Sequence, residues 1–199
     1  MKKVVLILVF VGVLGMVGWT VYDFVDVEDN EESDDSGGII TSEPAQNENG
    51  EVNNLADDVG LGKGEKAPDL ELKTLDGEKV KLSDYEGEKV IVNFWATWCP
   101  PCREEIPDLQ KLYDNYDVEI LAIDLTETES SLDVVEEFVY DEFEMTFPVL
   151  LDETSEVANM YQVMAYPTSY MVDTEGYIQF LAMGAMEYEQ MKEELEKLD

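Results

Sequence analysis

Asn93-Phe94-Trp95-Ala96-Thr97-Trp98-Cys99-Pro100-Pro101-Cys102-Arg103-Glu104-Glu105-Ile106-Pro107 is the stretch on which the fold turns. Before and into it, Lys89 to Trp95 is an apolar run rich in β-branched residues and bounded by Gly87, which predicts a buried strand. Within and after it, Ile106, Leu109, Leu112 and Tyr113 recur at helical spacing and predict a helix from Pro100 to Asp114. A strand that becomes a helix at a cysteine has a chemical consequence. The unpaired N–H groups and positive end of the helix stabilise a thiolate there. The first thiol should therefore ionise below the value of about 8.5 usual for a free cysteine. Prolines are tolerated in a first turn, because their missing N–H would be unpaired anyway. The two-residue gap brings the second sulfur, one turn later, within bonding reach. The chain holds 2 cysteines, so the pair predicts one reversible disulfide, Cys99–Cys102. Cys99 would attack a substrate disulfide, and Cys102 would displace the reduced product from the mixed disulfide. A static bridge is the alternative, but so short a loop constrains the unfolded chain little.

Outward from this segment the pattern stays mixed. Leu70, Leu72, Val80 and Leu82 alternate with polar residues around Asp76-Gly77, predicting a β-hairpin. Val118 to Ile123 predicts a second buried strand, Leu132 to Phe143 a helix, Phe147 to Leu151 a short strand and Glu153 to Tyr161 a further helix. Thr168 to Val172 and Tyr177 to Leu181 flank Asp173-Thr174-Glu175-Gly176 and predict an antiparallel pair, and Glu187 to Leu198 predicts a closing amphipathic helix. The succession is that of an α/β layered domain.

Composition narrows the function. There are 47 acidic residues against 12 basic ones, a formal net charge of −35 and no histidine. Nucleic acid is excluded as a partner, since its binding proteins neutralise phosphates with Lys and Arg. High net charge opposes self-association, which suits a solvated surface; recruitment of basic partners is the competing reading. Without histidine there is no Ser-His-Asp triad, Cys-His pair or His-ligated metal, and two cysteines alone cannot complete a zinc site. Residue 103 is Arg, so the C-x-x-C-H pattern of haem attachment fails. No metal and no cofactor is expected.

Three compartments follow. Lys2 and Lys3 precede an uncharged, largely apolar run from Val4 to Tyr22. As a helix it would rise about 28 Å, close to the roughly 30 Å hydrocarbon core of a bilayer. The run is long for a signal peptide and lacks a convincing cleavage site, so residues 1–22 are expected to be an uncleaved membrane anchor. The positive-inside rule then places the rest of the chain outside the cytoplasm. Residues 23–62 carry 13 acidic residues and no Lys or Arg, which predicts a disordered linker. Residues 63–199 are the predicted folded domain.

The segment Asn93–Pro107, with Phe147-Pro148-Val149-Leu150-Leu151-Asp152 and Ala165-Tyr166-Pro167-Thr168, resembles thioredoxin-fold proteins. It is most similar to the membrane-anchored ResA/TlpA-like branch of the thioredoxin-like (redoxin, AhpC/TSA-related) superfamily. The resemblance implies a thioredoxin-like fold with an N-terminal β-hairpin and an inserted helix and strand. It implies that Pro167 is a cis-proline beside the cysteines, that the Tyr166 backbone offers pairing groups to an extended substrate, and that Pro107 kinks the helix. Thioredoxin carries a buried Asp where this chain has Asn93, which cannot titrate. The matching acid of the ResA-like branch is Glu105, on the face of the helix that carries Cys102. Burial there would raise its pKa and let it exchange protons with a thiol. Trp98 is expected to shield Cys99 and offer substrates a flat apolar contact, and Trp95 to pack in the core.

The resemblance further implies a reductant of client disulfides, such as those of apocytochrome c before haem attachment, fed by a membrane thiol–disulfide electron donor. A disulfide-forming oxidase and a tethered binding module with a structural disulfide are the other readings. Peroxiredoxins carry a threonine three residues before the peroxidatic cysteine. Ala96 stands at that place, and Pro100 stands where some ResA proteins place a Glu.

Overall fold

The computed structural model describes residues 59–198; the apolar segment and most of the acidic segment lie outside the described residues. A mixed sheet forms the frame. Its strands are β1 (Glu71–Thr74), β2 (Lys79–Lys81), β3 (Val90–Trp95), β4 (Glu119–Asp124), β5 (Val149–Leu151), β6 (Thr168–Val172) and β7 (Ile178–Met183), in the spatial order β2-β1-β5-β4-β3-β6-β7. The helices are α1 (Pro100–Asn115), α2 (Leu132–Glu136), α3 (Glu156–Met160) and α4 (Tyr188–Leu195). β3 and β4 run parallel, as do β4 and β5, while β6 pairs antiparallel with both β3 and β7.

β3 lies near the centre of the sheet, and all six of its residues are buried. Its alternation separates two layers of core. Val90, Val92 and Phe94 join Leu121, Ile123, Tyr161 and Tyr170 on one face. Ile91 and Trp95 join Ile106, Leu109 and Leu112 of α1 and Met191 and Leu195 of α4 on the other. Full burial of one such leucine contributes about 1.5–3 kcal/mol. Asn93, between Ile91 and Trp95 in the alternation, therefore points towards α1. So does Ser169 of β6, its register partner.

The hairpin between β1 and β2 closes at Leu75-Asp76-Gly77. Gly77 N donates to Thr74 O at 2.9 Å, and Gly77 takes a φ of 82°, which a side chain would disfavour. The helix predicted over Leu132 to Phe143 is not uniform. After Glu136 it widens into a π turn over Glu137–Glu142. The wider pitch aligns Phe138 with Phe143, whose rings stack at 4.4 Å, and the Arg103 guanidinium lies over both, 4.9 and 5.4 Å from the centroids. The helix predicted from Glu153 is confined to Glu156–Met160. In chain order α2 and β5 fall between the β3-α1-β4 and β6-β7-α4 halves, as the inserted helix and strand that the resemblance implies would, while in the sheet β5 lies on the far side of β4. Residues at the end of the acidic segment also join the folded unit: Val59 bridges Lys66, and Gly60 N donates to Lys66 O at 3.0 Å. Among the described residues no helix is long and apolar enough to cross a membrane.

Candidate active site

The cysteines sit where β3 hands over to α1. Cys99 has extended backbone geometry and is the N-cap of α1; Pro100 and Pro101 fill the first turn, where a missing N–H costs nothing. The two cysteines are joined as a disulfide with Cα atoms 5.3 Å apart. The Cys102 amide donates to Cys99 Sγ at 3.3 Å, so a backbone N–H already faces the sulfur that would carry negative charge once the bridge is reduced. Cys99 is 3% exposed and Cys102 1%. Both sulfurs are thus nearly covered, and a partner must approach them along the surface around them.

That surface is aromatic. Trp98 is 50% exposed and meets the Tyr166 ring edge-on at 5.8 Å. The Tyr166–Pro167 peptide bond is cis, and Pro167 O accepts from Gly184 N at 2.7 Å. Trp98 Nε1 donates to Thr128 Oγ1 at 3.1 Å, which fixes the ring's polar edge and leaves the rest of the indole available. Trp95 is fully buried and packs on Phe138 at 4.9 Å.

Behind the disulfide lies a polar group enclosed in apolar packing. Glu105 is 2% exposed and follows Cys102 by one turn on the buried face of α1. Asn93 Nδ2 donates to Glu105 Oε2 at 3.1 Å and to Ser169 Oγ at 2.9 Å, and Met186 N donates to Glu105 Oε1 at 2.9 Å. Burial pushes the Glu105 carboxyl up to about 7 despite these donors, which favour the anion, and nearby Asp108 adds to the rise. Asn93 thus enters the site as the orienting partner of an acid twelve residues on, a role no local pattern announces.

The loop before Cys99 is held by residues the sequence reading did not single out. Thr97 N and Thr97 Oγ1 both donate to the Glu129 carboxylate at 2.6 Å, and Thr97 O accepts from Arg103 Nη1 at 3.3 Å. Arg103 also pairs with Glu142 through Nη2. Ser169, Met186, Thr128 and Glu129 lie far from the cysteines in sequence. Only Arg103, next to Cys102, was locally conspicuous, and then only for not being histidine.

This geometry can now be set beside known proteins. The model of the AhpC/TSA family matches residues 63–181. The chain belongs to that family. Among relatives of this family member, the thioredoxin-like protein YneN of Bacillus subtilis is 43% identical over 141 residues, 70% of this chain and 82% of that protein. The thiol-disulfide oxidoreductase ResA of Oceanobacillus iheyensis is 40% identical over 149 residues, 71% of this chain and 76% of that one. Among solved structures, the crystal structure of StoA from Bacillus subtilis superposes with a TM-score of 0.57 at 34% identity, covering 64% of this chain and 96% of that one. The fold is thioredoxin-like, and the family member described here is a thiol–disulfide oxidoreductase.

Proposed function

We propose that the chain is an extracytoplasmic, membrane-tethered reductant of client disulfides, working by dithiol–disulfide exchange at Cys99 and Cys102. The observation that carries the exchange chemistry is the disulfide itself. It sits at the start of α1 with the Cys102 amide on Cys99 Sγ and a buried acid one turn behind. In the reduced protein the Cys99 thiolate attacks a client disulfide, forming the mixed disulfide and expelling one client thiolate. Cys102 then loses its proton, attacks Cys99 Sγ and releases the second client thiolate. Two electrons pass to the client, and the Cys99–Cys102 bridge re-forms. Glu105 is placed to accept the Cys102 proton, because burial brings its carboxyl close to neutrality where it can both take and return one. Trp98, Tyr166 and cis-Pro167 form the surface on which the client segment lies, with the Tyr166 backbone pairing to it in extended form.

The client and the direction of electron flow rest on the resemblance to the ResA-like branch, which points to apocytochrome c thiols and a membrane thiol donor. The tether rests on residues 4–22, and the acidic segment after it would hold the domain off the membrane. Ala96, at the threonine position of peroxiredoxins, speaks against peroxide reduction.

Redox titration of the full chain against glutathione and thioredoxin buffers tests the direction. A potential near that of thioredoxin, about −270 mV, supports the reductant, whereas one near −120 mV would make it an oxidase. Trapping with Cys102→Ser tests the chemistry. Mixed disulfides should accumulate on Cys99 and identify the client, and their absence would leave a structural bridge.

A further inference from the structure

Glu129 and Asp124 have no part in the exchange described above. Asp124 ends β4 in register with Trp95 and is completely buried. Its Oδ1 accepts from Thr126 Oγ1 at 2.8 Å, while its Oδ2 meets no donor among the described residues. A buried carboxylate oxygen without a donor is costly, unless that oxygen carries a proton and is itself the donor. The Glu129 carboxylate is its acidic neighbour and raises its affinity for a proton. Glu129 in turn takes both the amide and the hydroxyl of Thr97, two residues before Cys99.

Around the pair, from the end of β5, Asp152 N donates to Asp124 O at 3.0 Å and Asp152 Oδ2 takes Ala158 N at 2.8 Å, while Asp152 Oδ1 and the buried Trp95 Nε1 also meet no partner among the described residues. From α1, Arg103 is occupied by Thr97 O and Glu142. Glu127, on the same turn as Glu129, is exposed and donates its amide to Asp152 O. Among the described residues no ion pair reaches Asp124 or Glu129.

We propose that Glu129 is a positioning residue for Cys99, gripping the loop Ala96–Trp98 through Thr97, and that Asp124 secures the grip by carrying the proton the two acids share. The proposal rests on the exchange reading for its catalytic consequence but not for the clamp itself. Burial pushes the Asp124 carboxyl up to about 8; the Thr126 hydroxyl pulls the other way, and the negative Glu129 adds to the rise. Trp98 reports on the clamp, because its indole N–H is tied to Thr128 in the same turn as Glu129.

The test uses the full chain, reduced for reaction with oxidised glutathione as disulfide and iodoacetamide as alkylating agent, with tryptophan emission as a structural signal. Glu129→Ala should slow the reaction of Cys99 with oxidised glutathione about tenfold at neutral pH, as expected for a misplaced reacting group, and shift the pH profile of Cys99 alkylation upwards. Glu129→Gln, whose amide oxygen can still accept from Thr97, should recover most of the rate. Wild-type emission, read on the oxidised chain so that no thiol titrates beside Trp98, should step near pH 8, as the shared proton leaves, and the step should vanish in both Trp98→Phe and Asp124→Asn. A folded Glu129→Ala with wild-type rate and alkylation profile overturns the proposal, as does an emission step that survives Asp124→Asn. Should Glu129→Ala fail to fold, Thr97→Val removes the hydroxyl contact alone and should cost about threefold, so an unchanged rate there overturns it too. A wild-type chain that does not exchange at all overturns the exchange reading instead, while the emission step still decides the clamp.

Discussion

Two buried acids flank the disulfide, and they are buried in different company. Glu105, behind Cys102, has both carboxyl oxygens bonded by neutral donors, Asn93 Nδ2 and Met186 N. Asp124, beyond the other end of the loop, has one oxygen on a hydroxyl and one without a donor, and its neighbour is another acid. Burial lifts both carboxyls, to about 7 and about 8. The difference lies in what the proton can do. At Glu105 it sits at a single acid oriented by partners that do not titrate, as the proposed exchange with a thiol on the same helix face requires. At Asp124 the neighbour is a second acid, as the proposed clamp requires, and loss of a shared proton would set two negative charges against each other. Similar burial thus suits a relay in one proposal and a clamp in the other, and the neighbours make the difference.

The comparison breaks most sharply at Glu105. Glu105→Gln keeps the shape but removes the titration, so turnover with a disulfide client should fall about 100-fold while the first attack by Cys99 changes little. Stopped-flow separation of the two steps checks this. Equal slowing of both would mean that Glu105 only supports the fold. A second variant makes one side resemble the other. Asn93→Asp places a carboxyl where a neutral donor stood, so the two acids would share a proton and the upper titration of the pair would rise by about one unit. The pH profile of Cys102 alkylation should move alkaline by the same amount, a roughly tenfold loss of rate at pH 7. An unmoved profile would show that Cys102 does not sense the acid behind it.

Stability offers a smaller and independent reading. Glu105 titrates at about 7 in the folded chain against an ordinary value of 4.5, so the folded state holds the proton more tightly than the unfolded one. Stability should then be greatest below that ordinary value, fall as the pH rises through about 7, and level off above it. The loss approaches roughly 3 kcal/mol for a shift of this size. Glu105→Gln should lessen the slope in denaturant unfolding between acid and alkaline pH, leaving the part that the buried Asp124 contributes, and an unchanged slope would contradict the burial of a protonated Glu105. The least effect is expected at the surface. Thr128→Val takes away the acceptor for Trp98 Nε1, and should raise the KM for a protein disulfide about threefold with kcat nearly unchanged.

Much of the fold was legible because its signals are local. The apolar run ending at Trp95 and the spacing of Ile106, Leu109 and Leu112 each describe apolar surface that must be buried, and the structure buries it, while Asp76-Gly77 marks a turn by its own backbone preference. The helix over Leu132 to Phe143 was legible only in part. The same apolar positions serve an α or a π turn, and the choice fell to the stacking of Phe138 and Phe143 beneath Arg103, a residue of another helix. Trp95 was expected in the core and Trp98 beside Cys99; Trp95 is fully buried and Trp98 lies half in solvent, because only Trp95 falls within the alternation of β3.

The chain by itself determined the two sulfurs and their reach. Helical geometry sets the distance between residues three apart whatever surrounds them, and the start of a helix always presents free N–H groups. Tertiary structure decided which carboxyls would hold protons. Glu105 owes its raised proton affinity to the packing that buries it, against donors from Asn93 and Met186, 12 and 81 positions away, and Thr97 owes its hold to Glu129, 32 positions on. A proton affinity is set by the solvent excluded and the charges close by in space, and neither quantity is fixed until the strands and helices have packed.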